Sequence, residues 1–191
     1  MKLIGLCGKA RSGKDTIADR LMSHFGMATY AFADPLRRAA HEMFGVPLES
    51  FLGSNPNREE PHPFWGISPR EMLQKLGSEG GRDVFGQDLW VRRAQQYWDN
   101  LQASDTLDRL KLRPSFWSGL VVTDIRYDNE AQWVLGQGGV VVEVKRPDAI
   151  TVASHRSEQG IDDLLVTSTI NNDGDLALLY RKINACFNQL L

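Results

Sequence analysis

A chain of 191 residues that is 42% hydrophobic can build one sizeable core with a small insertion besides. Its net charge of −2 disfavours non-specific binding to DNA or RNA, and no apolar run approaches the roughly 18 residues that a membrane span needs. The two cysteines, Cys7 and Cys186, lack metal-ligand spacing and fit a reducing cytoplasm without disulfides.

The N-terminus enters a strand at once, with no segment that reads as a signal peptide, so a cytoplasmic protein is expected. That strand, 3–7, runs into Gly8-Lys9-Ala10-Arg11-Ser12-Gly13-Lys14-Asp15-Thr16. Ile17, Ala18, Leu21, Met22 and Phe25 then recur at helical spacing up to Gly26. A glycine-rich loop between a strand and a helix wraps backbone N–H groups around the phosphates of a nucleoside triphosphate. Gly8 permits the sharp turn, Gly13 the close backbone approach, and Lys14 supplies a compact cation for the β- and γ-phosphates. Arg11 and Ser12 belong to the same loop. The alternative is a glycine turn without special chemistry. One position is off-pattern: Asp15 follows the lysine where Ser or Thr normally reaches Mg²⁺, and Thr16 comes one residue later. Either Asp15 or Thr16 is then a metal ligand.

A short strand is expected at 28–32. Asp34-Pro35 follows, an acidic N-cap with proline at the first helical position, opening a helix to residue 44. Asp34 has a second reading as a contact to substrate, with Arg37 one of several arginines available to an anion. Residues 45–66 carry four prolines (47, 56, 61 and 63) and few periodic apolar positions. They read as a long loop or lid-like insertion, with Phe64 and Trp65 either stacking on a base or pinning the loop to the core. Ser68-Pro69-Arg70-Glu71 is a capping box that starts a helix to about residue 76. Arg70 and Gln74 share a face of it, and Gly77 ends it; an arginine offers bidentate phosphate contact and a glutamine can read a base edge, unless the face is merely solvated. Residues 77–86 look loop-like, 89–101 helical, and 102–115 polar and irregular.

Residues 120–122 form a buried strand that ends at Asp124. In a parallel sheet the C-terminal strand ends surround the ligand, so Asp124 is a candidate to hold Mg²⁺, or else it caps the next segment. A helix over 129–135, strands at 140–144 and 164–170, and a closing helix at 175–190 complete the pattern. Strands that are apolar throughout, alternating with helices, predict a single three-layer α/β domain with a mostly parallel sheet and helices on both faces. His155 has no partners at metal spacing, and no nucleophilic triad stands out.

Taken together, these segments resemble the bacteriophage-type deoxynucleoside monophosphate kinases of the P-loop kinase superfamily. The likeness rests on Gly8 with Ser12-Gly13-Lys14-Asp15-Thr16, where Asp15 is the residue expected in that family. It rests also on Ser68-Pro69-Arg70 through Gln74-Lys75-Leu76-Gly77, and on Asp88-Leu89-Trp90-Val91. Asp124-Ile125-Arg126 with Asn129-Glu130, Gly138-Gly139, Val144-Lys145-Arg146-Pro147, His155 with Glu158, and Asn172-Asp173-Gly174 complete it. The resemblance implies a P-loop fold and phosphoryl transfer from ATP, with Mg²⁺, to a deoxynucleoside monophosphate. It moves Arg70, Gln74 and Arg126 to functional roles: Lys14, Arg70, Arg126 and Asp124 catalytic, and Asn172 near the adenine. It gives His155 and Glu158 interest without a chemical role. The partners implied are ATP and the monophosphate, with no nucleic acid or membrane and a homodimer left open, in the host cytoplasm if the chain is phage-encoded. In-line transfer would proceed by positioning and electrostatics, with closure of the 45–66 loop excluding water. Rival readings are a P-loop kinase of another phosphorylated metabolite, of phosphomevalonate or dephospho-coenzyme A type, and a nucleotide switch or ATPase.

Overall fold

The first strand, β1 (Lys2–Cys7), is buried from Leu3 to Cys7 on both of its faces, which only a covered, interior strand allows. In the computed structural model, which describes residues 1–109, 117–147 and 160–190, β1 is the middle strand of a five-stranded sheet. Its companions are β2 (Ala28–Tyr30), β3 (Gly119–Val122), β4 (Val140–Lys145) and β5 (Ser168–Asn171), in the order β2-β3-β1-β4-β5. Every pairing is parallel, with Ile4 opposite Val121 and Val140, and Val142 opposite Ser168.

Side chains alternate across the sheet. Ile4 and Leu6 point to a core completed by Ile17, Ala18 and Leu21 of α1 (Lys14–Phe25) and by Leu179, Ile183 and Phe187 of α7 (Leu176–Leu190). Gly5 faces the other way, where a Cβ would meet Ile125 and, at 3.3 Å, Val134 of α6 (Asp128–Gly136). Beside α6 runs α5 (Leu89–Arg109), joined to it where Trp133 Nε1 donates to Gln95 Oε1 at 2.6 Å. Helices thus cover both faces, and the three-layer α/β expectation holds. The strand expected at 164–170 is shorter, because Asp163–Leu165 coils into a 3₁₀ turn before β5 starts. No helix among the described residues is long and apolar enough to cross a membrane.

The chain divides into two compact units, residues 1–31 with 94–191, and residues 32–93. The first holds the sheet. The second is helical: α2 (Ala33–Phe44), 3₁₀ turns at Leu48–Phe51 and Pro56–Glu59, α3 (Pro69–Gln74), and the short α4 (Asp83–Phe85). Its core is Leu36, Ala40, Val46, Phe51, Met72 and Leu73, with Trp90 packed against it. Two local expectations change here. Asp34 does not cap α2: the helix begins two residues earlier, at Ala33, and Asp34 in its first turn pairs with Arg37 at 2.8 Å. The stretch 77–86 is not a loop, for α3 runs on into a wide π turn over Lys75–Arg82 and thence into α4. Its glycines fit by contact, since a Cβ on Gly77 would sit 2.8 Å from Leu36 and one on Gly81 would sit 3.0 Å from the Trp90 ring.

The insertion at 45–66 contributes Val46 and Phe51 to this core, both fully buried. Trp65 pins it further by donating from Nε1 to the Phe44 carbonyl at 3.0 Å, while Phe64 stays exposed. Phe51→Ala is therefore expected to lower stability by about 3–5 kcal/mol in urea titration, as loss of a core aromatic does. A change near zero would show that the segment is held by something other than its buried side chains.

Candidate functional site

The parallel strands of the first unit carry their loops at one edge. The loop after β1 turns through left-handed backbone at Gly8 (φ 128°), Arg11 (φ 60°) and Gly13 (φ 107°). Left-handed positions of this kind belong to the turn geometries that can present backbone N–H groups to an anion. Arg11 is the only non-glycine residue with positive φ among the described residues. Strain of this kind is tolerated where the surrounding structure enforces it, commonly at binding loops. Gly8 has no room for a side chain, because the Val144 carbonyl of β4 occupies the space. Ser12 is buried and its hydroxyl has no hydrogen-bond partner among the described residues. No side chain caps α1, whose first turn opens with Lys14, Asp15 and Thr16.

Lys14 folds across the loop, its ammonium donating at 2.7 Å to the carbonyls of both Gly8 and Lys9. Burial lowers its pKa, and Arg126 lowers it further; Asp15 and Asp124 act in the opposite sense. Arg126, Asp15 and Asp124 are therefore each in electrostatic reach of Lys14. Cys7, at the end of β1, is buried beside Glu143 and its thiol is pushed up to about 12, mainly by desolvation. Buried and held protonated, it packs as a small apolar side chain.

After β3 the chain passes Asp124, Ile125 and Arg126 before α6. The backbone N–H groups of Arg126 and Tyr127 donate to Glu130 Oε2, at 2.8 and 3.2 Å. Glu130 is buried, so one carboxylate fixes the backbone of the segment that carries Arg126. Sequence reasoning gave Glu130 no such role, although an acid at the third helical position is a recognisable N-terminal signal. Beyond β5, the Asn172 side chain donates from Nδ2 to the Ser12 carbonyl at 2.9 Å, and its backbone N–H donates to the Lys145 carbonyl at 2.7 Å.

The residues expected to bind the acceptor lie in the second unit. Ser68 Oγ accepts from the Glu71 N–H at 3.2 Å, the N-cap expected of it, which starts α3 with Arg70 in its first turn. Arg70 Nη1 donates to Glu59 Oε1 at 2.8 Å; the arginine side chain is only 12% exposed and the glutamate 58%. Eleven residues separate the two, so no helical spacing announces the pair. Gln74 is half-buried, and Gly77 is buried with its carbonyl accepting from Trp90 Nε1 at 2.9 Å. Arg37 is taken by Asp34. His155 and Glu158 lie outside the described residues.

The donor set also suits Mg²⁺ in kind. Asp15, Thr16 and Asp124 offer hard oxygens, and the described residues hold no group of three or more His, Cys, Asp or Glu able to hold a metal ion. A cation here would take most of its ligands from phosphate and water, as Mg²⁺ commonly does.

The family model described as deoxynucleotide monophosphate kinase matches residues 2–61 and 67–183. A protein of Acanthamoeba polyphaga mimivirus carrying the same description is 31% identical over 166 residues, covering 83% of this chain and 81% of its own. The deoxynucleotide monophosphate kinase of Enterobacteria phage T4 is 28% identical over 241 residues, covering 96% of this chain and 97% of its own. A looser likeness in shape runs to TT1252 from Thermus thermophilus, with a TM-score of 0.46 and 19% identity over 100% of this chain and 98% of that one.

Glu130→Ala removes the acceptor of two backbone N–H groups. It is expected to cost about 3 kcal/mol in denaturant titration, with Glu130→Gln losing less because one acceptor oxygen remains. Equal stability of all three proteins would show that the carboxylate does not organise this segment.

Proposed function

The chain belongs to the deoxynucleotide monophosphate kinase family, and we propose that it transfers the γ-phosphoryl group of ATP to a deoxynucleoside 5′-monophosphate, giving the diphosphate and ADP. The observation that carries this reading is the loop at 8–14, with three left-handed residues and a lysine folded over its own carbonyls. Those two carbonyl contacts are weak substitutes for phosphate oxygens. An arriving triphosphate would draw the Lys14 ammonium to its β- and γ-oxygens, where a charge-assisted contact is stronger.

Gly8, Arg11, Ser12, Gly13, Lys14 and Thr16 are assigned to the ATP phosphates. Their support is the backbone conformation of the loop, the unpartnered Ser12 hydroxyl and the uncapped start of α1. Asp15, Thr16 and Asp124 are the residues to hold Mg²⁺, which when bound neutralises charge on the β- and γ-phosphates. Arg126 is assigned to the transferring phosphoryl group, supported by its influence on Lys14 and by its anchored backbone. Asn172 is assigned to the ATP side.

Arg70, Gln74 and Gly77, with Asp34 and Arg37, are assigned to the monophosphate. Arg70 supports this best: its guanidinium already holds a carboxylate, Glu59, which a phosphate dianion can replace. In the transfer, an oxygen of the acceptor phosphate attacks the γ-phosphorus as the bond to the β–γ bridging oxygen breaks. No strong base is required, because the attacking oxygen is already anionic.

Incubation with Mg-ATP and a panel of deoxynucleoside monophosphates should yield diphosphates. ATP hydrolysis alone, with no diphosphate from any of them, would overturn the reading. Lys14→Ala is expected to lower kcat/KM for ATP by at least about 100-fold. Arg70→Ala should raise the KM for the monophosphate roughly tenfold or more while sparing the KM for ATP; unchanged monophosphate kinetics would remove Arg70 from the acceptor site.

A further inference from the structure

A trans peptide group holds its C=O and N–H pointing in opposite directions. The Ser12 carbonyl and the Gly13 N–H belong to one such group. Whatever grips that carbonyl from outside therefore aims the Gly13 N–H the other way. The Asn172 amide is the grip, donating to Ser12 O at 2.9 Å. Its Nδ2 also stands 2.5 Å from where a Cβ on Gly13 would lie, so the amide fills the space that glycine leaves open. Asn172 is itself held, with its backbone N–H on the Lys145 carbonyl at the end of β4. The end of β4 in turn supplies the Val144 carbonyl that closes on Gly8.

We propose that Asn172 is a positioning residue for the phosphate loop. It acts on the ATP phosphates through the Ser12–Gly13 peptide and makes no reading of the adenine base. This rests on the assignment of the loop to ATP and deepens it. Without the amide, the peptide is free to rotate, and the Gly13 N–H loses its fixed aim at the anion. The loss falls equally on any ligand that presents a polyphosphate, whatever base it carries.

The test is calorimetric binding of ATP, GTP and inorganic tripolyphosphate, each with Mg²⁺, to the full chain and to Asn172→Ala, alongside steady-state kinetics. Loss of one positioning hydrogen bond predicts a weakening on the order of tenfold for all three ligands. The KM for ATP should rise with it, and the KM for the monophosphate should stay as it was. A weakening confined to ATP, with tripolyphosphate binding unchanged, would assign Asn172 to the base and overturn the proposal. So would a lowered melting temperature with all affinities intact, which would mark a purely structural bond. Asn172→Ser, too short to reach Ser12, repeats the measurement if the alanine variant fails to fold. Wild-type protein that bound none of the three would overturn the donor-site reading itself, an outcome distinct from binding that the substitution leaves untouched.

Discussion

Parallel strands cannot be joined by hairpins, because each must be re-entered from the same end. In the first unit this forces a crossover after every strand and delivers all the loops that follow strands to one edge. With β1 in the middle, the loop at 8–13 is flanked by the segment after β3, which carries Asp124 and Arg126, and by the end of β4. The turn after β5 reaches it through Asn172. None of these groups is near another in sequence. Strand order assembles them, in a sheet whose inner strands are buried on both faces.

Within that frame the loop is held at its backbone carbonyls, which accept from the side chains of Asn172 and Lys14. Val144 and Gly8 meet backbone to backbone, and the Lys145 and Ser12 carbonyls are both occupied by Asn172. Contacts of this kind fix direction without consuming the N–H groups that an anion needs. The side chains that remain are Lys14, which bridges two loop carbonyls, and Ser12, whose buried hydroxyl has no partner among the described residues. A loop built this way keeps its donors in reserve and is already shaped for a ligand, which lowers the ordering cost of binding.

Much of this was legible in the sequence, and the reasons differ by element. β1 and β3 declare themselves because they are buried and apolar on both faces, and α1 because its apolar positions recur at helical spacing. The loop at 8–16 is legible because glycine and lysine have few other uses in that order between a strand and a helix. The second unit was harder. Gly77 and Gly81 look like a loop by composition, yet they sit in a π turn where Leu36 and Trp90 approach too closely for a side chain. That is tertiary packing overriding propensity. The Arg70–Glu59 pair was invisible for the same reason, its members joined by the fold of the 45–66 segment and by no periodicity. Asn172 was noticed only through resemblance. Its contact with Ser12 spans 160 residues, and only the pairings of β1 with β4 and of β4 with β5 bring them together.

The off-pattern Asp15 has a physical account of its own. Lys14 sits where burial and Arg126 both work against its charge. Two cations near one partly enclosed loop repel each other until phosphates arrive to separate them. A neutral Ser or Thr after the lysine would do nothing to relieve that repulsion, whereas the Asp15 carboxylate favours the charged ammonium, as does Asp124 across the loop. Asp15 also lies in the first turn of α1, where an acid is favoured by the helix dipole. The first effect favours the charged ammonium of Lys14, and the second favours the ionised carboxylate of Asp15 itself. The irregular residue thus makes sense only as one member of a charge-balanced set of four.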